Sequence, residues 1–152
     1  MCIRDRMGVE PPVPAQVFDL DELKTLQQKA SELYVDRGVI DYAVSLTIAT
    51  RQPAAYHLPD LEELIAYGAS PRASLGLVAA GRAMALLRGR SYVLPQDVFD
   101  VAPEILRHRI VLSYEALAQD LTTDLILNRL LSTVPAPRIA PSQDPSSPLR
   151  SA

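Results

Sequence analysis

The sequence predicts an all-α fold, a bundle of about six helices. Apolar residues recur at helical spacing in several separate stretches, and most of these stretches begin at a residue type that caps helix N-termini. Apolar residues make up 48% of the 152 residues and charged residues 22%, as in an ordinary globular protein. This supports one core, and because aromatic residues reach only 5% the core must consist of Leu, Ile, Val and Ala.

The distribution of proline predicts where the folded part lies. Eight of the 13 prolines fall near the two ends, and the stretch from Pro135 onward is rich in Pro and Ser with little to bury. The predicted organisation is a disordered or non-native segment over residues 1–16, a helical domain over 17–137 and a disordered tail over 138–152. The charged start Met1–Arg6 is too short for a signal peptide and is excluded from the fold.

The first two helices are predicted from their caps. Asp19 and Glu22 form a capping box, and the helix they open should end near Tyr34–Val35, with an apolar face of Leu23, Leu26, Ala30 and Leu33. Asp36 should cap a second helix that runs to about Arg51, with an inner face of Ile40, Ala43, Val44 and Thr47.

A short helix and a longer one should follow. Pro53 and Pro59 bound a loop, after which Leu61, Leu64 and Ile65 favour a short helix over Asp60–Tyr67. Ser70 is a suitable N-cap and Pro71 suits the first helical position, so a helix is expected over Pro71–Arg88, closed by Gly89. Its small residues would let a neighbouring helix approach closely: Ala73, Gly76, Ala79, Ala80 and Ala83.

The last third should contain two further helical regions. Pro95 starts a helix to Val101, and Pro103 is expected to restart it toward Arg109. Ile110–Leu112 is apolar and β-branched and allows one very short strand. Thr122 or Thr123 should cap a final helix whose apolar positions are Leu125, Leu127, Leu130, Leu131 and Val134.

No complete active site is found in the sequence. The stretch Gly76–Ala83 has the glycine spacing of a phosphate-binding P-loop, but Arg82 replaces the Lys, Ala83 lacks the hydroxyl for Mg²⁺, and the stretch falls inside a predicted helix. One Cys and two His residues are too few for a zinc site, and no metal site is expected. The acids Asp60, Glu62 and Glu63 have no evident partner.

Charge and hydropathy exclude two function classes. The net charge is −3, although residues 70–112 hold six arginines against three acids. Nucleic-acid binding through that region is therefore the weakest hypothesis, and no nucleic acid is expected as partner. No apolar run approaches the ~20 residues of a membrane span, so no membrane association and a cytoplasmic location are expected.

Arg72 is the one residue with a physical case for binding. It lies in the first turn of the predicted helix, where the helix dipole favours an anion, and its guanidinium is a bidentate phosphate donor. Spacing alone favours the simpler interpretation, a surface arginine at an ordinary helix start.

Several motifs in order resemble the C-terminal lid of MoxR-family AAA+ ATPases. These are Gly68-Ala-Ser-Pro-Arg-Ala73, Ala85–Val93, Leu94–Val98, Ala102–Ser113 and Leu130–Pro135, with Leu33–Asp36 and Ala49-Thr-Arg51 resembling the first two lid helices. The resemblance covers about Asp19 to Pro137. The motifs for the ATPase core are absent from the chain, which is interpreted as a fragment lacking the P-loop core.

The resemblance implies a role in a larger ATPase. Arg72 falls on the sensor-2 position, which contacts the γ-phosphate, with Ser70 and Pro71 shaping the helix start. ATP and Mg²⁺ would be cofactors of the full-length protein, with none bound by this chain alone. The implied partners are the missing AAA+ core, neighbouring subunits of a homo-oligomeric ring, usually a hexamer, and a von Willebrand factor A-domain protein. The implied activity is chaperone-like remodelling or the assembly of complexes and metal cofactors.

Other readings stay open beside this one. The cluster Arg107, His108 and Arg109 fits subunit or nucleotide-proximal contacts, although charge complementing a helix C-terminus is favoured. Arg88 and Arg90 have the same two alternatives, a subunit or nucleotide-proximal contact and charge complementing a helix C-terminus. Arg82 is expected to pack or to form an ion pair. The whole chain alternatively serves as a stand-alone helical interaction module without nucleotide chemistry. As a lid without Walker A and Walker B motifs, the chain alone is predicted to be inactive as an ATPase.

Overall fold

Six α-helices and a two-stranded antiparallel sheet make up the fold, so the predicted all-α bundle is confirmed. The computed structural model describes residues 14–138. The helices are α1 (Leu20–Glu32), α2 (Arg37–Ala49), α3 (Arg72–Leu87), α4 (Pro95–Leu106), α5 (Tyr114–Ala118) and α6 (Thr123–Thr133). The strands are β1 (Ile65–Tyr67) and β2 (Val111–Leu112). Most of residues 1–16 and 138–152, predicted to be disordered, lie outside the described part.

The helix boundaries follow the predicted caps closely. The Asp19 carboxylate accepts from the amides of Asp21 and Glu22, and the Glu22 side chain accepts from the Asp19 amide, which completes the capping box of α1. Asp36 caps α2 through the Gly38 amide at 2.7 Å, and Thr122 caps α6. These side chains satisfy amides that have no partner inside the helix, and so they fix where each helix begins.

Gly89 ends α3 as expected. Its φ is +70°, a left-handed conformation that glycine adopts without a steric penalty. The Gly89 amide donates to the Leu86 carbonyl and the Arg90 amide to the Ala85 carbonyl, both at 2.9 Å. This pair of bonds is the Schellman arrangement, which satisfies the last carbonyls of the helix.

The core is built from aliphatic side chains of α2, α3, α4 and α6. Among the fully buried side chains are Leu46, Leu77, Val98, Leu106 and Leu127. The buried residues of α3 recur at every fourth position. They are Ala73, Leu77, Gly81 and Ala85. A Cβ on Gly81 would lie 3.2 Å from a Val98 methyl carbon, so the small residue lets α4 pack closely against α3.

The predicted inner face of α2 was wrong in part. Ala43 and Thr47 are buried, but Ile40 is 41% and Val44 38% exposed. The buried face instead carries Val39, Tyr42, Ala43, Leu46, Thr47 and Ala49. Because apolar residues occur on both faces of this helix, helical periodicity did not determine which face packs inward.

The first helix packs on α3 without burying any of its own side chains. Leu23 and Leu26, predicted as inward positions, are 38% and 42% exposed. The helix ends at Glu32, earlier than predicted, because Tyr34 pairs its backbone with residues 91–93 as an isolated parallel bridge to Tyr92. Only Leu33, at the C-cap, reaches the core.

The predicted helix over Asp60–Tyr67 was wrong. Residues Pro59–Leu61 form a single 3-10 turn, and β1 follows. Ile65 pairs with Leu112 and Tyr67 with Val111, while the Ser113 amide donates to the Leu64 carbonyl at 3.0 Å. The partner strand, whose presence at Ile110–Leu112 was predicted, therefore competes successfully with local helix formation. Leu61 and Leu64 are buried all the same.

Pro103 does not divide α4 as predicted. The helix runs continuously from Pro95 to Leu106 with Pro103 inside it. Buried residues on both sides of the proline, including Val98 and Leu106, hold the two halves against the same core and outweigh the one lost hydrogen bond. The following residues Arg107–Arg109 form a 3-10 turn, and α5, capped by Ser113, was not predicted.

A buried carboxylate joins the end of α3 to the start of α4. Asp97 has no exposed surface and accepts from Arg88 at 2.7 Å, from Arg90 at 2.5 and 2.8 Å, and from the Leu94 amide at 2.8 Å. Arg88 also binds Asp100 at 2.5 Å. We call Arg88, Arg90, Asp97 and Asp100 the Asp97 clamp. It gives Arg88 and Arg90 a role in joining two helices.

The clamp predicts a pH-dependent stability. Burial alone raises the pKa of Asp97, but the hydrogen bonds from Arg90, Leu94 and Arg88 and the charge of Arg90 outweigh it, so the pKa lies below the usual 3.8. The hydrogen bond from Arg88 lowers the pKa of Asp100 in the same direction. Carboxyls with lowered pKa stabilise the fold above about pH 4, and this stabilisation is lost as the pH falls through their folded-state values.

We therefore expect the free energy of unfolding to fall with pH below about pH 4 and to be nearly level above about pH 5. Urea unfolding followed by circular dichroism between pH 2.5 and 7 measures this. Asp100→Asn, which keeps Asp97, should make the acid slope shallower than in the wild type. An equal slope in both proteins would show that Asp100 does not contribute to the acid loss.

Candidate functional site

The turn from Gly68 to Arg72 is held against the end of α2. Thr50 is fully buried at the C-cap of α2, where its hydroxyl donates to the Thr47 carbonyl at 2.7 Å and accepts from the Ala69 amide at 2.9 Å. These bonds fix the turn to the preceding helix before α3 begins. The chain direction at Arg72 is thus set by buried groups.

Gly68 is required by the close approach of two backbones. A Cβ built on Gly68 would lie 2.2 Å from the Thr50 carbonyl oxygen and 2.8 Å from the Cγ of Arg51. No side chain fits there, so the first residue of this turn must be glycine. Ala69 and Ala73, which follow Gly68 in the chain, have no exposed surface, which leaves no room for larger residues at these positions.

Arg72 is the first residue of α3, and its side chain is exposed. It forms no ion pair or side-chain hydrogen bond with any residue in the range 14–138. The amides of Ala73 and Ser74 already donate to the carbonyls of Ser70 and Pro71, at 2.8 and 3.2 Å. The guanidinium is therefore the main donor that this turn presents.

The predicted capping role of Ser70 was wrong. Pro71 is the N-cap and already has helical dihedral angles, and no side chain caps the helix. The backbone carbonyl of Ser70 takes the Ala73 amide, so the exposed Ser70 hydroxyl has no capping bond. Pro71 does shape the helix start, because its fixed φ preorganises the first turn and its carbonyl accepts from the Ser74 hydroxyl at 2.6 Å.

The predicted cluster after α4 is engaged in contacts within the fold. Arg107 donates to Asp124 at 2.6 Å and to Glu104 at 3.0 Å, and so connects α4 to α6. Arg109 donates to the Ile105 carbonyl at 2.9 Å, near the end of α4. His108 is exposed. The Arg109 contact is of the kind expected for a cation that complements a helix C-terminus, whereas Arg107 forms ion pairs.

A cleft of about 260 Å³ borders the Gly68 turn. Residues 50–53, at and after the end of α2, form one wall, and residues 65–68, in and after β1, form the other, with Glu62 at the margin. Arg51 is exposed, as is the ring of Tyr67. The cleft therefore combines a cation, a carboxylate and an aromatic face. Arg51 was not among the binding residues predicted from the sequence.

The remaining candidates carry no site. The glycine spacing of Gly76–Ala83 lies inside α3, as predicted, and its glycines are packing positions. Arg82 faces the groove between α1 and α3, where its Nε atom is buried without a partner among the described residues. In residues 14–138 there is no group of three or more His, Cys, Asp or Glu side chains suited to a metal ion. No helix there has the length and hydropathy to span a membrane.

Comparison with known proteins agrees with the resemblance. The family model described as AAA lid domain matches residues 60–130, from the 3-10 turn before β1 into α6. The 2.00 Å crystal structure of a proposed ATPase from Cytophaga hutchinsonii superposes with a TM-score of 0.71 at 38% identity, over 73% of this chain and 34% of that one. These matches identify an AAA lid domain within the chain, over residues 60–130.

Two curated relatives identify the kind of AAA protein. Chaperone MoxR1 of Mycobacterium tuberculosis is 46% identical over 145 residues, which is 94% of this chain and 38% of that protein. Protein MoxR of Methylorubrum extorquens is 34% identical over 140 residues, 88% of this chain and 40% of that protein. The chain is homologous to MoxR chaperones over most of its length and spans about two-fifths of these relatives.

Proposed function

We propose that this chain is the nucleotide-sensing lid of a MoxR-type AAA ATPase, in which Arg72 contacts the γ-phosphate of bound ATP. The observation that carries the proposal is the state of Arg72: an exposed guanidinium with no carboxylate partner within residues 14–138, on a turn fixed by Thr50 and Gly68. An unneutralised arginine held in this way suits a planar, bidentate phosphate contact.

The same architecture supports coupling between nucleotide and lid position. Arg72 begins α3, and the Asp97 clamp joins the far end of α3 to α4. If a phosphate group bound to Arg72 displaces α3, the Asp97 clamp would make α4 move with α3. We propose that this movement drives chaperone-like remodelling or assembly of protein complexes and metal cofactors, in the cytoplasm.

Hydrolysis itself would depend on the rest of such a protein. An ATPase core would supply the Mg²⁺ site and the attacking water, which a lid with one phosphate-contacting arginine does not position. We propose that the lid also meets neighbouring subunits of a homo-oligomeric ring, and that a von Willebrand factor A-domain protein is a partner. By itself the chain should not hydrolyse ATP.

A chimaera tests the role of Arg72. The ATPase core of the Mycobacterium tuberculosis relative is joined to this chain, which replaces the segment that it matches. We expect the chimaera to hydrolyse ATP and Arg72→Ala to lower kcat/KM about 10- to 100-fold, the effect of losing a hydrogen bond to a charged group. Steady-state phosphate release measures it.

Arg37→Ala is the matched control, since Arg37 is exposed at the start of α2 and makes only a loose pair with Asp41 at 3.8 Å. It should leave turnover unchanged. Full activity of the Arg72→Ala chimaera would contradict the proposed contact.

A second candidate, a helical interaction module, is favoured by one observation. Ile40, Val44 and Ile48 form a partly exposed apolar stripe along α2, the outward counterpart of its buried face. This candidate predicts that the chimaera fails to hydrolyse ATP, whichever residue stands at position 72.

A further inference from the structure

We propose that Arg51 is a second nucleotide-contacting residue, which binds the phosphates of ATP together with Arg72. This inference rests on the proposed function and adds a residue to the same site. Arg51 directly follows the C-cap of α2 and lines the cleft beside the Gly68 turn. Arg51 follows the end of α2 and Arg72 begins α3, and the Arg51 side chain approaches Gly68, the first residue of the turn that leads to Arg72.

Electrostatics distinguish these two arginines from most of the others. Arg88 and Arg90 are neutralised by Asp97 and Asp100, and Arg107 and Arg129 pair with acids on other elements. Arg51, like Arg72, has no ion pair and no side-chain hydrogen bond among the described residues. Glu62 lines the same cleft yet does not pair with Arg51. The cation is left available for an anion.

The contact of Arg51 with Gly68 limits how far apart Arg51 and Arg72 can lie. The Cγ of Arg51 lies 2.8 Å from the position of a Cβ on Gly68, so the aliphatic part of its side chain runs along the backbone of the turn. Gly68 and Arg72 are four residues apart, which limits their Cα separation to about 14 Å. Two long side chains starting from these points can both reach one polyphosphate group.

The competing explanation is that Arg51 only complements the C-terminal dipole of α2. That role requires no ligand and predicts an effect on stability alone. A dipole-complementing role does not require the contact with Gly68, the position beside the cleft or the lack of an ion pair within residues 14–138. The test therefore measures nucleotide affinity and stability separately.

The experiment uses the chimaera and compares Arg51→Gln, Arg72→Gln and, as the exposed control, Arg37→Gln. Binding of ATP and of AMP is measured by fluorescence competition, and thermal unfolding of each 152-residue variant is followed by circular dichroism. We expect Arg51→Gln to weaken ATP binding about tenfold, to leave AMP binding within about twofold, and to keep the Tm within about 2 °C.

Each outcome separates the two proposals. ATP affinity unchanged in Arg51→Gln but reduced in Arg72→Gln would overturn the role of Arg51 and leave the proposed function standing. An equal loss for ATP and AMP, or a loss matched by Arg37→Gln, would also overturn it. A chimaera that does not bind ATP, or in which Arg72→Gln has no effect, would contradict the proposed function itself.

Discussion

Asp97→Asn is expected to lower the free energy of unfolding by about 3–5 kcal/mol, the usual cost of removing one partner from a buried ion pair. Asparagine has nearly the same shape but no charge, and one of its two terminal groups is a donor. That donor would face Arg88, Arg90 or the Leu94 amide, all of which donate to the Asp97 carboxylate in the wild type. Urea unfolding at pH 7 measures the loss.

Asp124→Asn is the matched control. Asp124 also pairs with an arginine, at 2.6 Å, but its side chain is 55% exposed. Exposed pairs are screened by water and contribute little, so this variant should unfold like the wild type. If both variants lose the same small amount of stability, the Asp97 clamp does not hold α3 and α4 together in the way described.

Gly68→Ala is the second large effect that we expect. The new methyl group would overlap the backbone of Thr50, since the nearest atom, the carbonyl oxygen, lies at 2.2 Å. Backbone cannot rotate aside as a side chain does, so the turn must move and the Ala69–Thr50 hydrogen bond must lengthen or break. Overpacking usually lowers the free energy of unfolding by about 1–3 kcal/mol, and we expect this overlap to cost about 3 kcal/mol. That loss corresponds to a fall in Tm of about 10 °C.

Gly76→Ala serves as its control within α3. There the added methyl would meet only the Ile105 side chain, at 3.4 Å, and alanine favours a helix over glycine by about 1 kcal/mol. Thermal unfolding should therefore show Gly76→Ala at or above the wild-type Tm and Gly68→Ala well below it. Equal Tm values for the two variants would mean that Gly68 is not sterically required.

The helix starts were predictable because their causes are local. The capping box of Asp19, the caps at Asp36 and Thr122 and the left-handed Gly89 each involve hydrogen bonds within a few residues. Such interactions can be identified from spacing alone. The MoxR resemblance likewise rests on short motifs, and the comparisons confirmed it.

The errors arose where distant residues decide the structure. Strand β1 forms because β2, more than forty residues later, supplies its hydrogen bonds, so a local pattern over residues 60–67 suggested a helix instead. On α2 both faces are apolar, and only the packing of α3 and α6 shows that Leu46 is inside and Ile40 outside. Likewise, α4 continues past Pro103 because residues before and after the proline pack against the same core.

The candidate site was half predictable. Arg72 was proposed as a site residue from its place at a helix start and from the resemblance, and it stays a prediction. Its neighbours were not: Ser70 offers its carbonyl rather than its hydroxyl, and the contact of Gly68 with Thr50 joins residues 18 positions apart. The sequence does not show that Arg51 and Arg72 lack ion-pair partners within residues 14–138. Only the structure shows this, because it shows which of the other arginines pair with acids.

The weak burial of α1 affects how the protein unfolds locally. Because α1 buries none of its own side chains, it can separate from the bundle while the core of α2, α3, α4 and α6 stays closed. Amide hydrogen exchange should accordingly be hierarchical: the amides of α1 exchange through a low-energy local fluctuation, while those of α3 and α4 exchange only through global unfolding. We therefore expect the domain to unfold as two cooperative units of unequal stability, with Leu33 and Tyr34 between them.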